Sequence, residues 1–213
     1  MSAQNHIKTL ISRFPGLGEC APDIEKAIAL VIRCYENSGK ILTCGNGGSA
    51  ADAEHIVGEL LKGFCKCRPV PEETVLKLRE LYPGDGDDIA RNLQDPLPAI
   101  ALTSHISFTT AYNNDKDARY TFAQGVYGLG QEGDVCIGLT TSGNSENIII
   151  ACKVSKARGL VTIALTGKDG GKIKDVCDVI IRVPAHETYI VQEYHMPVYH
   201  AICRAVEDHF FKK

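Results

Sequence analysis

41-ILTCGNGGSAADAEHIVGEL-60 is the stretch around which the chain is organised. The short apolar run Ile41 to Cys44 predicts a buried strand. Gly45-Asn46-Gly47-Gly48-Ser49 predicts a turn, and the remainder carries helical spacing. A strand that turns through glycines into a helix makes an anion site. Glycine lets the backbone approach a ligand closely, and the helix start offers free N–H groups and the positive end of a dipole. Ser49 is the expected N-cap. His55 and Glu59 are four residues apart and share one helix face, so the cradle is followed by an acid/base or metal pair on the same element. GxxxxGK[ST] is absent. GxGxxG fails at its third glycine, where Ala50 stands, which leaves a dinucleotide site weakly supported. A Gly-rich turn of this kind also serves simply to join a strand to a helix.

The plan recurs at 140-TTSGNSENI-148, where the apolar run Val135 to Leu139 ends in hydroxyls, a glycine and a helix start. Thr140, Thr141, Ser142 and Ser145 beside a helix N-terminus can give several hydrogen bonds to one phosphate without a cation. A capping role for Ser145 explains one such loop; two loops at strand ends are harder to explain by capping alone.

Around these loops, apolar runs at 99–102, 161–165 and 179–183 predict further strands. Helical patterns cover 3–13, 21–38, 120–129, 148–158 and 187–211, with a helical turn expected within 104–112 and the polar 113–115 after it. Strand–helix alternation predicts an α/β/α sandwich on a parallel five-stranded sheet, with ligands at the carboxyl ends of the strands. Residues 1–39 read as added N-terminal helices and 65–97, rich in proline, glycine and acid, as an inserted excursion within one domain spanning 1–213. Within the excursion, 75–81 reads as a helix and 89–93 as another turn. On the terminal helix Gln192 and His200 are eight apart, roughly a quarter turn off one face. Pro197 between them should bend that helix locally. His195 and His209 read as structural or surface residues.

Length suits one large domain or two small ones, with a sizeable core. Hydrophobic content of 44%, charged content of 23% and a net charge of −3 give no reason to expect nucleic acid or an acidic membrane. No apolar stretch is long enough to span a bilayer, and the N-terminus lacks the pattern of a signal peptide. Nine cysteines at irregular spacing read as free thiols, most of them small buried hydrophobes, in a reducing cytoplasm.

Taken together, 44-CGNGGSAADAEH-55, 98-PAIALTS-104, Asn114-Asp115, 140-TTSGNSENI-148 and Gln192-Glu193 followed by His200 resemble the sugar isomerase (SIS) domain and, within it, the phosphoheptose isomerase family. The likeness runs from about Ile41 to Phe64 and from Pro98 to the end. It implies a flavodoxin-like or Rossmann-like sandwich and isomerisation of sedoheptulose 7-phosphate to D-glycero-D-manno-heptose 7-phosphate. By this resemblance Asn46, Gly47, Gly48, Asn114, Asp115, Thr140, Thr141, Ser142, Ser145 and Gln192 bind the sugar phosphate, with Thr141, Ser142 and Ser145 on the phosphate. It also implies one zinc per subunit on His55, Glu59, Gln192 and His200, Glu59 and His200 as the acid/base pair, and a homotetramer with sites built across subunits.

Moving a proton between C1 and C2 through an enediol needs one base for carbon and an acid for oxygen, roles that suit a carboxylate and an imidazole. Zinc would polarise the carbonyl. Tight ligation competes with base action at Glu59, so labile or substrate-dependent ligation is expected. Non-catalytic relatives that bind a sugar phosphate or a protein partner, such as a replication initiator, are the competing reading, as is an isomerase of another sugar phosphate. The 65–97 excursion, Ile190-Val191 before Gln192 where the family often has Arg-Ile, and Pro197 depart from the family's pattern. They bear on substrate choice rather than fold.

Overall fold

The structure, a computed structural model, describes residues 3–211. Its five strands are β1 (Ile41–Gly45), β2 (Ala99–Ala101), β3 (Val135–Leu139), β4 (Val161–Thr166) and β5 (Val179–Arg182). They form one parallel sheet in the order β2-β1-β3-β4-β5. Ile41 stands opposite both Ala99 and Val135, and Val135 opposite Val161. β1 and β3 are buried at every position, because a parallel sheet covered on both faces needs apolar side chains on both.

The helices are α1 (Ala3–Arg13), α2 (Ala21–Glu36), α3 (Gly48–Leu61), α4 (Glu72–Leu81), α5 (Gly86–Asn92), α6 (Ile106–Asp115), α7 (Thr121–Leu129), α8 (Glu146–Ala157) and α9 (Thr188–Phe210). One face of the sheet packs Ile41, Val135, Ile137, Leu139, Ile163 and Leu165 beneath α1, α2, α3 and α9. The other packs Leu42, Cys44, Cys136 and Ala164 beneath α7 and α8. This is the expected three-layer sandwich. The strand order reverses between β1 and β3, and both Gly-rich loops leave the sheet there. That is the switch point at which open α/β sheets hold ligands.

Several local expectations change. Ser49 is not the N-cap of α3. The helix starts at Gly48 on Gly47, whose φ of 56° suits glycine, and Ser49 is buried in the first turn. Residues 113–115 are not a loop after a short turn but the last turn of α6, none of whose residues is buried. The excursion folds as α4 and α5, and α4 likewise buries nothing. Pro197 lies inside α9 and has no N–H to offer the Glu193 carbonyl, which is the missing hydrogen bond the sequence leads one to expect there. The nine cysteines, by contrast, are free thiols as expected. Among the described residues no helix is long and apolar enough to cross a membrane.

His195 is buried on α9, where neither ring nitrogen makes a well-formed hydrogen bond among the described residues and the nearby Thr166 backbone offsets only part of the burial. Burial pushes its pKa down to about 4 from an ordinary 6.5. The unfolded chain therefore takes up this proton first as pH falls. Stability is full above about pH 6.5 and is lost progressively towards pH 4. Between pH 7 and 4.5 the wild type should lose about 2–3 kcal/mol more than His195→Leu, a difference that denaturant titration of both proteins at the two pH values will read.

Candidate active site

The first loop leaves β1 at Gly45, and the second leaves β3 at Thr140. Asn46 and Asn147 join them side by side through a reciprocal amide pair, each Nδ2 donating to the other's Oδ1 at 2.9 Å. Ser145 precedes α8, yet its side chain does not cap the helix. Its hydroxyl instead lies 3.0 Å from Thr140 Oγ1. The capping-box explanation of this loop therefore does not hold: Ser145 caps nothing, and the only side chain on a first-turn amide among the described residues is Asn147, whose Oδ1 accepts from Ile148 at 3.1 Å. Asn144 braces the loop: its amide donates to Ser142 Oγ at 3.2 Å, and its side chain bridges the Ser142 carbonyl and the Lys172 amide. Asn46, Gly47, Gly48 and Ser142 are exposed at this edge, Thr141 and Ser145 are half-buried and Thr140 is buried.

The second group of residues lies further along α3. His55, Glu59 and His200 present ligand atoms that all fall within 4.8 Å of one another. His55 Nε2 is 3.1 Å from Glu59 Oε1, and Lys62 Nζ donates to Glu59 Oε2 at 3.1 Å. Behind His55, Tyr199 OH is 2.9 Å from Nδ1 and donates to Asp52 Oδ1 at 3.2 Å. A hydroxyl that gives its proton to Asp52 accepts from Nδ1–H, which leaves Nε2 with its lone pair towards Glu59. A lone pair facing a carboxylate calls for a cation or a proton between them. The Asp–Tyr–His chain is the kind of outer support that fixes a metal-binding imidazole. His200 Nε2 is buried without a partner, and burial, with His55 beside it, holds the His200 pKa below its ordinary value. Two imidazoles and a carboxylate converging with such atoms unsatisfied fit a divalent metal of the zinc type.

α3 and α9 run parallel, since Gly48 meets Gln192 while Asp52 and His55 meet Tyr199. The carboxamide of Gln192 lies so close to Gly48 that a Cβ there would come within 2.7 Å of its Nε2. Gln192 thus stands at the loop end of α3, and His55, seven residues on, is roughly 10 Å along the axis. Asn114 and Asp115 are exposed on α6, and the Asn114 side chain donates to Asp115 at 3.0 Å. No hydrogen bond ties either to the two loops among the described residues. His209 pairs with Glu36 at 3.0 Å and His186 with Asp169 at 3.3 Å, both on the surface.

Sequence reading missed Asp52, Tyr199, Lys62 and Asn147. Tyr199 had a signal: it is seven residues after Gln192 and so repeats on the same helix face. Asn147 lay inside the quoted loop motif and read only as part of a helix start.

A doubly covered parallel sheet with two hydroxyl- and amide-rich loops at its switch point defines an open α/β domain built to hold a ligand at its strand ends, and two SIS domain patterns match it, one over residues 5–94 and the other over 99–204. The chain is 42% identical over 187 residues to the phosphoheptose isomerase of Nitratiruptor sp., covering 88% of this chain and 86% of that one. It is 39% identical over 201 residues to that of Rhodospirillum rubrum, covering 94% and 93%. The solved structure of a phosphoheptose isomerase from Francisella tularensis superposes with a TM-score of 0.74 at 31% identity, over 98% of this chain and 100% of that one. The chain belongs to the phosphoheptose isomerase family.

Proposed function

We propose that the protein interconverts sedoheptulose 7-phosphate and D-glycero-D-manno-heptose 7-phosphate through an enediol. The convergence of His55, Glu59 and His200 within 4.8 Å carries this reading, because a protein that only binds sugar phosphate has no use for such a group. Glu59 takes the proton from carbon and returns it to the neighbouring carbon. His200 donates to and accepts from the oxygens. His55, Glu59 and His200 would hold zinc, which would polarise the carbonyl when bound; Gln192, which stands at Gly48 in its own chain, would reach such an ion as the further oxygen ligand from a neighbouring chain.

At the other end Thr141, Ser142 and Ser145 hold the phosphate on the α8 N-terminus, and Asn46, Gly47, Gly48, Thr140, Asn114 and Asp115 line the sugar. The loops and the metal group stand at different levels of α3. A homotetramer in which neighbouring chains complete each other's pockets accounts for this separation, and for α6, which carries Asn114 and Asp115 and has no buried residue. Residues 1–213 act as one SIS domain with 65–97 as its insertion, in the reducing cytoplasm that nine free thiols suit.

Purified protein is assayed for an aldose phosphate product before and after chelation, and again with zinc restored. Turnover that disappears with the chelator and returns with zinc supports the reading. Turnover indifferent to chelation removes the metal from it, and no turnover removes the reaction. Ser142→Ala/Ser145→Ala should raise KM about 10²-fold with a smaller change in kcat, since two hydrogen bonds to a charged group are lost at a point remote from the chemistry. An unchanged KM would take the phosphate away from this loop.

A further inference from the structure

We infer that Arg68, buried with Glu207 beneath the catalytic group, is a positioning residue that sets the distance between Glu59 and His200; the inference rests on the isomerase reading above. Arg68 is 0% and Glu207 1% exposed. Arg68 Nε donates to Glu207 Oε1 at 2.8 Å. The rest of the guanidinium reaches the end of α3. Nη1 donates to the Leu60 carbonyl at 2.7 Å, and Nη2, which also lies 2.8 Å from Glu207 Oε1, donates to the carbonyl of Glu59 itself at 3.2 Å. Glu207 meanwhile accepts the Phe64 amide at 2.7 Å on Oε1 and the Cys65 amide at 2.8 Å on Oε2. The Phe64 ring, held by that bond, packs on His200 with centroids 5.2 Å apart. One ion pair thus holds the backbone carbonyl of Glu59 on one side and, on the other, the backbone amide of Phe64, the residue whose ring lies against His200.

Stability alone is a poor account of this pair. Two desolvated charges of this kind are often replaced by apolar side chains of similar volume without loss, whereas removing one partner is strongly destabilising. What an apolar pair cannot do is hold two α3 carbonyls and two loop amides in a fixed frame. That frame is what an acid and a base working on adjacent atoms require, and misplacement by about 1 Å costs on the order of 10² in rate. Arg68 touches neither the loops at the β1 and β3 ends nor their ligands, so its effect belongs to kcat.

The test compares the full chain with Arg68→Met and with Arg68→Met/Glu207→Leu, using sedoheptulose 7-phosphate under zinc saturation. The single variant should lose melting temperature; the double variant, which removes the unpaired charge but leaves two carbonyls and two amides without these partners, should regain part of it. kcat should fall about 10²-fold in both, with KM within about twofold. A kcat that returns with the melting temperature in the double variant, or that never falls, overturns the inference. If Arg68→Met does not fold, Arg68→Lys carries the test: it keeps the charge but cannot fork to two carbonyls, and a wild-type kcat there overturns the inference equally. Absence of turnover in the wild type counts against the proposed reaction instead. The ring 15N resonances of His55 and His200 then decide: they should shift in the double variant while amides away from residues 59–68 and from the α9 turn around Glu207 stay in place, and unshifted rings overturn the positioning role.

Discussion

Glu59→Gln is expected to reduce kcat by about 10³-fold and to leave the protein folded. Loss of a positioned base is worth roughly 10² to 10⁴ in rate, and Gln keeps the shape while removing the charge. The fold should tolerate the change. The Glu59 backbone carbonyl, not its carboxylate, is what Arg68 holds. The carboxylate's ion pair with Lys62 involves a side chain 60% exposed, and pairs of that kind contribute little.

The same variant separates the two roles assigned to Glu59. If its carboxylate is only a metal ligand, saturating zinc should restore the rate, because two imidazoles and other oxygen donors can still hold the ion. If it is the base, kcat stays low however much zinc is bound. Steady-state kinetics across a zinc titration distinguish the two outcomes. Near-native turnover without added zinc would remove Glu59 from the chemistry altogether.

How far the residues announced this arrangement depends on which force positions each one. The strands were legible because each lies between two helical layers and must be apolar on both faces, which writes a continuous apolar run. The two loops were legible because glycines and hydroxyls at strand ends are unusual and recur. The hydroxyls themselves misled: Ser49 and Ser145 stand where caps are expected, yet one is buried in the first turn and the other turns to Thr140. Helix periodicity put Gln192 and His200 near one face, but periodicity says nothing about height. Only the packing of α9 beside α3 puts one at Gly48 and the other at His55. Arg68 and Glu207 left no trace at all. They are 139 positions apart, and a charged residue in a polar excursion reads as solvated until its partner is known.

Glycines within this one stretch should respond in opposite directions. Gly45→Ala places a Cβ against the backbone carbonyl of Ser49, closer than side chains are ever found, and the obstacle is the first turn of α3 rather than a flexible side chain. β1 and α3 can double back so tightly only because Gly45 has no side chain, and Thr43 fastens the same return by donating to the Ala53 carbonyl at 2.9 Å. The variant must push the helix start away from the strand, at a cost of about 1–3 kcal/mol or more. Gly58, on the exposed side of the same helix, meets nothing within 4 Å. Gly58→Ala removes unfolded-chain entropy in a helix interior and should stabilise by about 0.5–1 kcal/mol. Denaturant titration will read both signs. Displacing the first turn also moves Asn46, Gly47 and Gly48, so Gly45→Ala should lose the melting-temperature rise that a sugar phosphate gives the wild type, while Gly58→Ala keeps it. Should Gly45→Ala keep the full rise, the phosphate end of the site does not depend on this turn, and the second loop alone would have to carry it.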